Sequence, residues 1–411
     1  MRRLTPLVLA AVALALAGCA TAVHPGQRIP GRTLTVYFSG PRFGASSSGA
    51  TSALNGARLA LASAGGRVGR YRVVLKTLDD ASATSDGWDP NQTTLVARQA
   101  MQDPTTVGYL GDFNSGASAI SIPLLNRAGI PQISPGSTAV GLTSAGAGAA
   151  VGEPQKYYPT GVQTFVRVVP TDAAQGLALV AIQRAMNCRS TFVLHDGEVD
   201  GEDAAYSFVL TARGAGLPVT GILPFKRHAT TYLSSAQSVA ASGADCVLIS
   251  AIDERSAVQL TKELAAVVPD ATIFAGNGLA DSAFINPASG GIPTSLDSHV
   301  VVLSAALPLK QYAGRAATVM AQYSRRYGVP EPSAIFGYAA MQLMLAAITR
   351  ATDGGHAQAD RAKVLAALFS RRRWTTVLGS LRLNRAGDPS SERFGIYRLV
   401  GGQMRFIEAV G

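Results

Sequence analysis

The fold is set by an alternation of segments that residues 106–134 show in full: TVGYLGDFNSGASAISIPLLNRAGIPQIS. Within this stretch the β-branched and apolar run Thr106 to Leu110 predicts a strand, and Ala117 to Arg127 predicts a helix. Ile130 to Ser134 predicts the next strand. A strand, a helix and a second strand in this order are typical of a parallel sheet covered by helices.

The same alternation extends in both directions and is interrupted once, by the glycine- and alanine-rich residues 141–161. Strands predicted at Thr33 to Phe38 and Tyr71 to Leu78 precede this segment, and a second series of strands and helices follows it from Thr164 to Ser304. The sequence therefore predicts two α/β units of similar size. The helical segments between residues 313 and 369 cannot bury their apolar faces alone, so we expect them to pack back on one unit.

The composition excludes several classes of protein. Of the 411 residues, 47% are hydrophobic and 15% are charged, which is too apolar for a disordered chain and too poor in charge for a coiled coil. The formal net charge is +10, but its only tight run is Arg371 to Arg373, at a predicted helix end. Nucleic-acid binders concentrate positive charge on one face or arm, so we expect no nucleic-acid partner.

The N-terminus has the features of an export signal. Two arginines are followed by the apolar residues 4–17, and Cys19 closes the sequence Leu-Ala-Gly-Cys. This end resembles the lipobox of bacterial lipoproteins. The resemblance implies that residues 1–18 are a signal peptide and that Cys19 carries the lipid that anchors the chain to the outer face of the cell membrane. Residues 19–32 then form a flexible tether. The alternative is an ordinary signal peptide with a chance cysteine.

The chain contains two further cysteines, Cys188 and Cys246. In an exported protein they are outside the reducing cytosol, where a disulfide can form. Cys188 directly precedes a predicted strand, and Cys246 opens another. If these strands are parallel neighbours, both thiols lie at the same sheet edge, within the Cα separation of roughly 4.4–6.8 Å that a disulfide needs. We therefore expect a Cys188–Cys246 disulfide. Two buried, unreactive thiols are the alternative.

The motifs of common enzyme classes do not occur in the sequence. It contains no GxSxG, HExxH, P-loop or GxGxxG pattern. No His/Cys group has metal-ligand spacing, and the five histidines are isolated: His24, His195, His228, His299 and His356. We expect no enzymatic activity, no cofactor and no metal. A surface hydrolase is the alternative from another class, and it would require Ser115 or Ser137 close to His195.

Small polar loops follow two consecutive predicted strands, at the end of the sheet where open parallel sheets bind ligands. One is Gly111 to Gly116, which includes Asn114 and Ser115, and the other is Ser134 to Thr138, which includes Gly136. Both offer hydroxyl groups, and glycine permits a bend whose backbone N–H groups point outward to an anion. Each loop alone is equally an ordinary turn with a helix cap. Two such loops on consecutive strands converge on one place and predict an anion-binding site.

At this point the chain resembles type I periplasmic binding proteins of the leucine/isoleucine/valine-binding kind, the substrate-binding lipoproteins of ABC importers. The local matches are Ser39 to Pro41, Asn55 to Ala57, Gly129 to Ala139, Phe165 to Pro170 and the turn at Gly387 and Asp388. The resemblance implies an α/β fold of two Rossmann-like lobes, joined by three crossovers, that close on a small molecule.

The resemblance also implies the domain division and the partners. Lobe I would comprise residues 33–163 and 305–388, and lobe II residues 164–304 and 389–411. The chain would be a monomer that captures a small polar ligand, an amino acid or related carboxylate, and delivers it to an ABC permease. A ligand sensor of the same fold, which signals to a membrane partner, is the alternative.

In that family, groups at the positions of the Ser115 hydroxyl, the Gly136 backbone and the Thr138 hydroxyl hold the carboxylate of the ligand. We expect the same roles here. Phe43 stands in a loop longer than the family's usual one and is expected to form a wall of the site. Two further contacts are expected from this lobe: Asn114 and Ser137.

The second lobe departs from the family pattern. Asp200 stands in place of the usual Tyr-Gly pair, Ile252 in place of an aromatic residue, and the loop at Asn277 lacks the acid that binds an amino-acid ammonium. We therefore expect Asp200 to bind a ligand ammonium as a buried carboxylate, with Asp253 or Asp281 as alternatives. This departure does not affect the groups of the first lobe that are expected to bind the ligand carboxylate. It argues against branched-chain amino acids as the ligand.

Overall fold

The computed structural model describes residues 27–312 and 314–411, which form two α/β lobes with a cleft between them. The predicted signal peptide and the lipidated Cys19 lie outside the described residues. Each lobe contains one main sheet flanked by helices, as the sequence predicts.

The first lobe is built on a six-stranded sheet whose central strands run parallel. Its elements up to residue 167 are β1 (Thr33–Ser39), α1 (Ser47–Ser63), β2 (Arg67–Val68), β3 (Tyr71–Leu78), β4 (Ala81–Ser82), β5 (Gly87–Trp88), α2 (Pro90–Gln102), β6 (Thr106–Leu110), α3 (Ser115–Arg127), β7 (Gln132–Ser134) and β8 (Phe165–Arg167). The strand order is β2-β3-β1-β6-β7-β8, and β4 pairs with β5 in a separate hairpin. The carboxyl ends of β1, β6 and β7 therefore lie side by side.

The second lobe continues the alternation. Its elements up to residue 304 are α4 (Asp172–Ala185), β9 (Thr191–His195), α5 (Val199–Gly214), β10 (Val219–Pro224), α6 (Leu233–Ser242), β11 (Cys246–Ser250), α7 (Glu254–Val267), β12 (Thr272–Ala275), α8 (Ser282–Ile285) and β13 (Val300–Ser304). These five strands are parallel neighbours in the order β10-β9-β11-β12-β13. Their carboxyl ends face the cleft.

The rest of the chain returns to the first lobe and then to the second. Its elements are α9 (Ala316–Tyr327), α10 (Ala334–Ala351), α11 (Arg361–Leu368), β14 (Arg373–Thr376), β15 (Gly379–Arg382), β16 (Phe394–Leu399) and β17 (Met404–Val410). Helix α10 packs on α1 and α11, whereas β16 pairs antiparallel with β13 and β17 completes a seven-stranded sheet. Arg373, predicted at a helix end, instead opens β14 and pairs with Arg382 across the β14–β15 hairpin.

Glycines permit α1 and α10 to cross closely. A Cβ atom added at Gly56 would lie 2.1 Å from the carbonyl oxygen of Ala334, and one at Gly337 would lie 1.9 Å from that of Ala53. Among the described helices, α10 alone is long and apolar enough to cross a membrane, and most of its residues are buried inside the first lobe. Its contacts within this lobe account for its apolar character.

The lobe boundary lies slightly later than the sequence predicts. Residues from 164 onward were expected in lobe II, but β8 pairs with β7 and completes the first sheet. The reason is that the free edge of β7 presents backbone N–H and C=O groups that need partners, and β8 supplies them. The guanidinium of Arg167, at the end of β8, is fully buried and pairs with Asp388 at 2.8 Å. This ion pair joins the first crossover to the third.

The two cysteines of the second lobe form a disulfide. The Cα atoms of Cys188 and Cys246 are 5.8 Å apart. Strands β9 and β11 are adjacent and parallel, with Cys246 opposite Thr191, which is the arrangement on which the sequence prediction depended.

Candidate ligand-binding site

The cleft lies between the carboxyl ends of the central strands of the two sheets and contains about 830 Å³ of empty space, part of which is open to solvent. The first lobe contributes the loops after β6 and β7 and the starts of α1 and α10. The second lobe contributes the loops after β11 and β12 and the first turns of α4 and α5. An enclosed space with mixed polar and apolar walls is the usual form of a small-molecule site.

The loop after β7 folds back on Ser134. The Ser134 hydroxyl oxygen accepts hydrogen bonds from the N–H groups of Gly136 and Ser137, at 3.1 and 2.8 Å. These N–H groups, expected to point outward to an anion, therefore turn inward. Glycine is required at 136 for another reason, since a Cβ atom there would lie 2.5 Å from the carbonyl oxygen of Phe113. The Thr138 side chain lines the cleft.

Ser115, the first residue of α3, is fully buried behind the cleft surface. Its hydroxyl oxygen accepts hydrogen bonds from the N–H groups of Thr138 and Ala139, both at 3.2 Å, and so joins the two loops of the first lobe. Its own N–H group donates to both carboxylate oxygens of Asp200, at 2.9 and 3.1 Å. Two of the groups expected to bind a ligand carboxylate, the Ser115 hydroxyl and the Gly136 N–H, are thus bonded within the protein.

Asp200 lies in the first turn of α5 and reaches from the second lobe to the N-terminus of α3. Burial raises its pKa to about 6, and the Ser115 N–H and hydroxyl groups oppose this rise. A carboxylate is favoured at a helix N-terminus because the first N–H groups there lack partners within the helix. Asp200, expected to bind a ligand ammonium, instead occupies the place where a ligand anion was expected.

Asp172 is an acid of the cleft that was not predicted from the sequence. It is 1% exposed, its N–H group donates to the carbonyl oxygen of Thr138 at 3.0 Å, and its Oδ1 accepts from Nε2 of Gln175 at 3.0 Å. Its Oδ2 has no hydrogen-bond partner within the described chain. Burial and then the charge of Asp200 raise the pKa of Asp172 to about 7, while the nearby Thr138 hydroxyl lowers it only in part. Its sequence signal is its position at the start of the helix after the first crossover.

The loops of the second lobe are fixed to one another by side chains. The Asp196 carboxylate, just after β9, accepts a hydrogen bond from the Ile252 N–H at 2.7 Å. The Asn277 side-chain oxygen accepts from the Ala305 N–H at 2.7 Å, and the Asn277 N–H donates to Gln175 Oε1 at 2.6 Å. Ile252 and Asn277 therefore belong to a wall of the cleft whose backbone is fixed by hydrogen bonds.

The lining of the cleft is acidic. Four acids belong to it: Asp172, Asp200, Asp281 and Glu331. Within residues 27–312 and 314–411, no Lys, Arg or His side chain belongs to the lining. Arg167 lies behind the loop after β7, where it donates to the carbonyl oxygens of Ser137 and Ala139 and pairs with Asp388. In the same described part of the chain, no group of three or more His, Cys, Asp or Glu side chains is arranged to hold a metal ion.

Further hydrogen bonds join the lobes around the cleft. Glu254 of the second lobe accepts from the Ser46 N–H at 3.1 Å, and Asp281 accepts from the Ser48 hydroxyl at 2.6 Å. At the same rim, the Trp88 indole N–H donates to Glu198 at 3.0 Å. In each of these pairs the second lobe supplies a carboxylate and the first lobe supplies the donor. The two lobes are therefore in contact around the cleft.

The predicted residues divide into three groups. Those that line the cleft are Asn114, Gly136, Thr138, Asp200, Ile252 and Asn277. Ser115 and Ser137 are buried behind it, and the Ser137 hydroxyl donates to the Asp112 carbonyl oxygen at 3.0 Å. Phe43 is 41% exposed and lies outside the lining. Phe113 supplies an aromatic wall instead, because Gly40 and Gly49 leave room for its ring.

Solved solute-binding proteins share this structure over almost its whole length. The leucine-binding protein LivK of Thermotoga maritima has a TM-score of 0.77 at 17% identity, with 92% of this chain and 98% of that chain covered. LivJ, the branched-chain amino acid transporter substrate-binding protein of Streptococcus pneumoniae in complex with isoleucine, has a TM-score of 0.74 at 16% identity, covering 92% and 99%. A solute-binding protein of an ABC transporter from R. palustris, in complex with benzoate, has a TM-score of 0.73 at 19% identity, covering 92% and 96%.

At such low identities these structures establish the fold. No curated protein sequence matches the chain. The model of the family "Periplasmic binding protein" matches residues 33–403, which include both lobes and the whole lining of the cleft. The chain therefore belongs to the periplasmic binding protein family and has its type I fold.

Proposed function

We propose that this chain is an extracytoplasmic solute-binding protein, anchored by lipid at Cys19, that captures a small polar solute between its lobes and delivers it to an ABC importer. The resemblance in sequence makes an amino acid or related carboxylate the first class to test. Family membership supports the binding role. The observation that carries the proposal is the cleft itself, in which buried polar groups of both lobes surround one space.

The mechanism follows from the contacts between the lobes. The pairs Ser115 with Asp200 and Ser46 with Glu254 form only when the lobes approach. A solute held between them loses its water, and its hydrogen bonds strengthen as the local dielectric constant falls. Because the solute contacts both lobes only in the closed form, binding shifts the population toward that form. A permease that recognises the closed form would then receive loaded protein.

The cleft hydroxyl of Thr138 provides a direct test. Thermal-shift screening against amino acids, short carboxylates, amides and amines identifies the solute, because a ligand that binds only the folded chain raises its melting temperature. Thr138→Ala should then weaken binding of that solute in calorimetry by about 1–3 kcal/mol, since a buried polar group loses its partner. Thr230→Ala, at an exposed threonine outside the cleft, is the matched control. Equal affinity in wild type and Thr138→Ala would remove this residue from the site.

The anchor is tested separately. Cys19→Ala should release the mature protein from the membrane fraction into the soluble extracytoplasmic fraction, because the acyl chains that hold it have lost their attachment point. Fractionation of cells followed by immunodetection measures this distribution. Retention of the variant in the membrane pellet would contradict lipidation at Cys19 without affecting the binding role.

A further inference from the structure

The anion-binding place of the first lobe is filled by the protein itself. In the described chain, Asn114 at the start of α3 makes no side-chain cap to its own helix, and the Asp200 carboxylate accepts from the Ser115 N–H in its stead. A solute carboxylate could reach this N–H group only by displacing Asp200. The displaced carboxylate would then remain in a buried cleft beside Asp172.

The lining of the cleft contains two acceptors that lack partners. Asp172 and Asn114 line it from opposite lobes, and Asp172 Oδ2 and Asn114 Oδ1 are buried without a hydrogen-bond partner in the part of the chain that the structure describes. The two residues are 1% and 2% exposed. Two unpartnered acceptors in the walls of one cleft favour a molecule with N–H or O–H donors between them.

The charge of the lining selects among such donors. After burial, the charge of Asp200 raises the pKa of Asp172, and the charges of Asp172 and Asp200 contribute to the raised pKa of Asp203, on α5. Arg167, behind the wall, is already paired with Asp388 and with backbone carbonyls. A positive charge in the cleft would lower the energy of all three carboxylates, whereas a negative charge would raise it. The apolar side chains of Phe113, Ile252 and Phe336 leave room for a hydrocarbon body.

We propose that the solute is an amine cation that carries no carboxylate, whose N–H groups donate to Asp172 Oδ2 and Asn114 Oδ1 while Asp200 fills the anion site at α3. This inference rests on the proposed function and narrows its solute class. Asp172 is then the residue that determines specificity for the cation, and Asp200 is the residue that excludes amino acids by standing where their carboxylate would bind.

Matched triads of compounds test the inference on the full mature protein by calorimetry. Leucine, 3-methylbutylamine and 4-methylpentanoate share the same isobutyl side chain. Leucine carries both charges, the amine carries only the cation and 4-methylpentanoate carries only the anion. Alanine with ethylamine and propanoate, and phenylalanine with phenethylamine and 3-phenylpropanoate, repeat the comparison at two other sizes. In at least one triad the amine should bind at least tenfold more tightly than the amino acid, and the carboxylate should not bind.

The outcomes separate the inference from the function on which it rests. Tighter binding of an amino acid or a carboxylate than of its matched amine would overturn the inference and leave the proposed function intact. Binding by none of the nine compounds would also overturn the inference, and the wider thermal-shift screen would then decide the function.

Two variants assign the roles. Asp172→Asn keeps the shape of the side chain and should weaken binding of the amine at least tenfold, whereas Asp270→Asn, at an exposed aspartate, should leave it unchanged. Asp200→Ala vacates the anion site and should raise the affinity for the amino acid relative to its amine at least tenfold. A misfolded variant cannot produce that gain. Unchanged selectivity in Asp200→Ala, or unchanged amine affinity in Asp172→Asn, would overturn the assignment.

Discussion

Ser115 shows how one hydroxyl can belong to the frame of a site rather than to its surface. The sequence predicts it in the loop after β6, and the structure places it in the first turn of α3, behind the cleft surface. Its oxygen, however, accepts the N–H groups of Thr138 and Ala139 and its backbone N–H is taken by Asp200. Its replacement therefore removes a partner from two buried backbone donors.

Ser115→Ala should consequently lower the free energy of unfolding by about 1–3 kcal/mol, the usual cost of leaving buried polar groups unpaired. Denaturant titration followed by tryptophan fluorescence measures this change. Ser289→Ala, at an exposed serine, should stay within about 0.5 kcal/mol of wild type. A Ser115→Ala protein as stable as wild type, but weaker in solute binding, would return Ser115 to the role that the resemblance implies.

The residues of the site were predictable where they follow strands in the chain. Asn114, Gly136 and Thr138 line the cleft because the carboxyl ends of adjacent parallel strands bring their loops together. Which atoms of these loops remain free to bind a solute depends on how the two lobes pack together. A local stretch of sequence does not determine this packing. Asp172 was not predicted because it lies in a crossover, and Phe43 was wrongly expected in the wall that Phe113 forms.

At the scale of elements, the second lobe completes helices of the first. In the described chain, neither α1 nor α3 receives a side-chain cap from its own N-cap residue, Ser46 or Asn114. Glu254 accepts from the Ser46 N–H, and Asp200 accepts from the Ser115 N–H. A cap is worth about 0.5–2 kcal/mol, so closure of the lobes gains stability at two helix ends before any solute contributes.

The crossing of α1 and α10 depends on glycine. Gly56→Ala would place a Cβ atom 2.1 Å from the Ala334 carbonyl oxygen, so the helices must separate. We expect a loss of about 1–3 kcal/mol in the free energy of unfolding, as for overpacked cores. Gly214→Ala, at a helical glycine with open space around its Cβ position, should be neutral or stabilising by up to about 1 kcal/mol. Thermal denaturation of both variants decides, and equal melting temperatures would contradict the close crossing.

The elements themselves were largely predictable because their apolar periodicity is strong. The strand predicted at Tyr71 to Leu78 coincides with β3, and the one predicted at Thr106 to Leu110 coincides with β6. The strands β4 and β5 were not predicted, since a strand of 2 residues has too little pattern to detect. The final strand β17 was not predicted either. The sheet to which β8 belongs was wrongly predicted, because sheet membership depends on a partner strand earlier in the chain, where Gln132 of β7 pairs with Phe165 of β8.

At the scale of the whole molecule, the charge of the cleft opposes the charge of the chain. The chain carries a formal charge of +10, whereas the cleft and its surroundings concentrate carboxyl groups. Burial is the first cause that raises the pKa of Asp172 and Asp196 to about 7, of Asp200 to about 6 and of Asp203 to about 8. The folded protein therefore holds protons that the unfolded chain, with an aspartate pKa near 4, releases at lower pH.

This difference fixes the sign of the pH dependence. Between about pH 4 and pH 8 the folded state binds more protons than the unfolded state, so the stability that these groups contribute is present at low pH and is lost as the pH rises through their folded pKa values. His195 acts in the opposite sense, because burial lowers its pKa and its protonation disfavours folding as the pH falls. Because one histidine opposes four aspartates, the aspartates determine the sign of the pH dependence.

The solute-free protein should therefore lose at least about 2 kcal/mol of stability between pH 5 and pH 8, given about 1.4 kcal/mol per unit of pKa difference. Denaturant titrations at intervals of one pH unit measure the slope. Asp172→Asn should flatten it, because an amide neither titrates nor repels Asp200. A bound amine cation should flatten it too, since it stabilises the ionised carboxylates that the empty cleft disfavours. Stability that stays constant or rises from pH 5 to pH 8 would mean that water or ions enter the cleft and remove the cost of its charges.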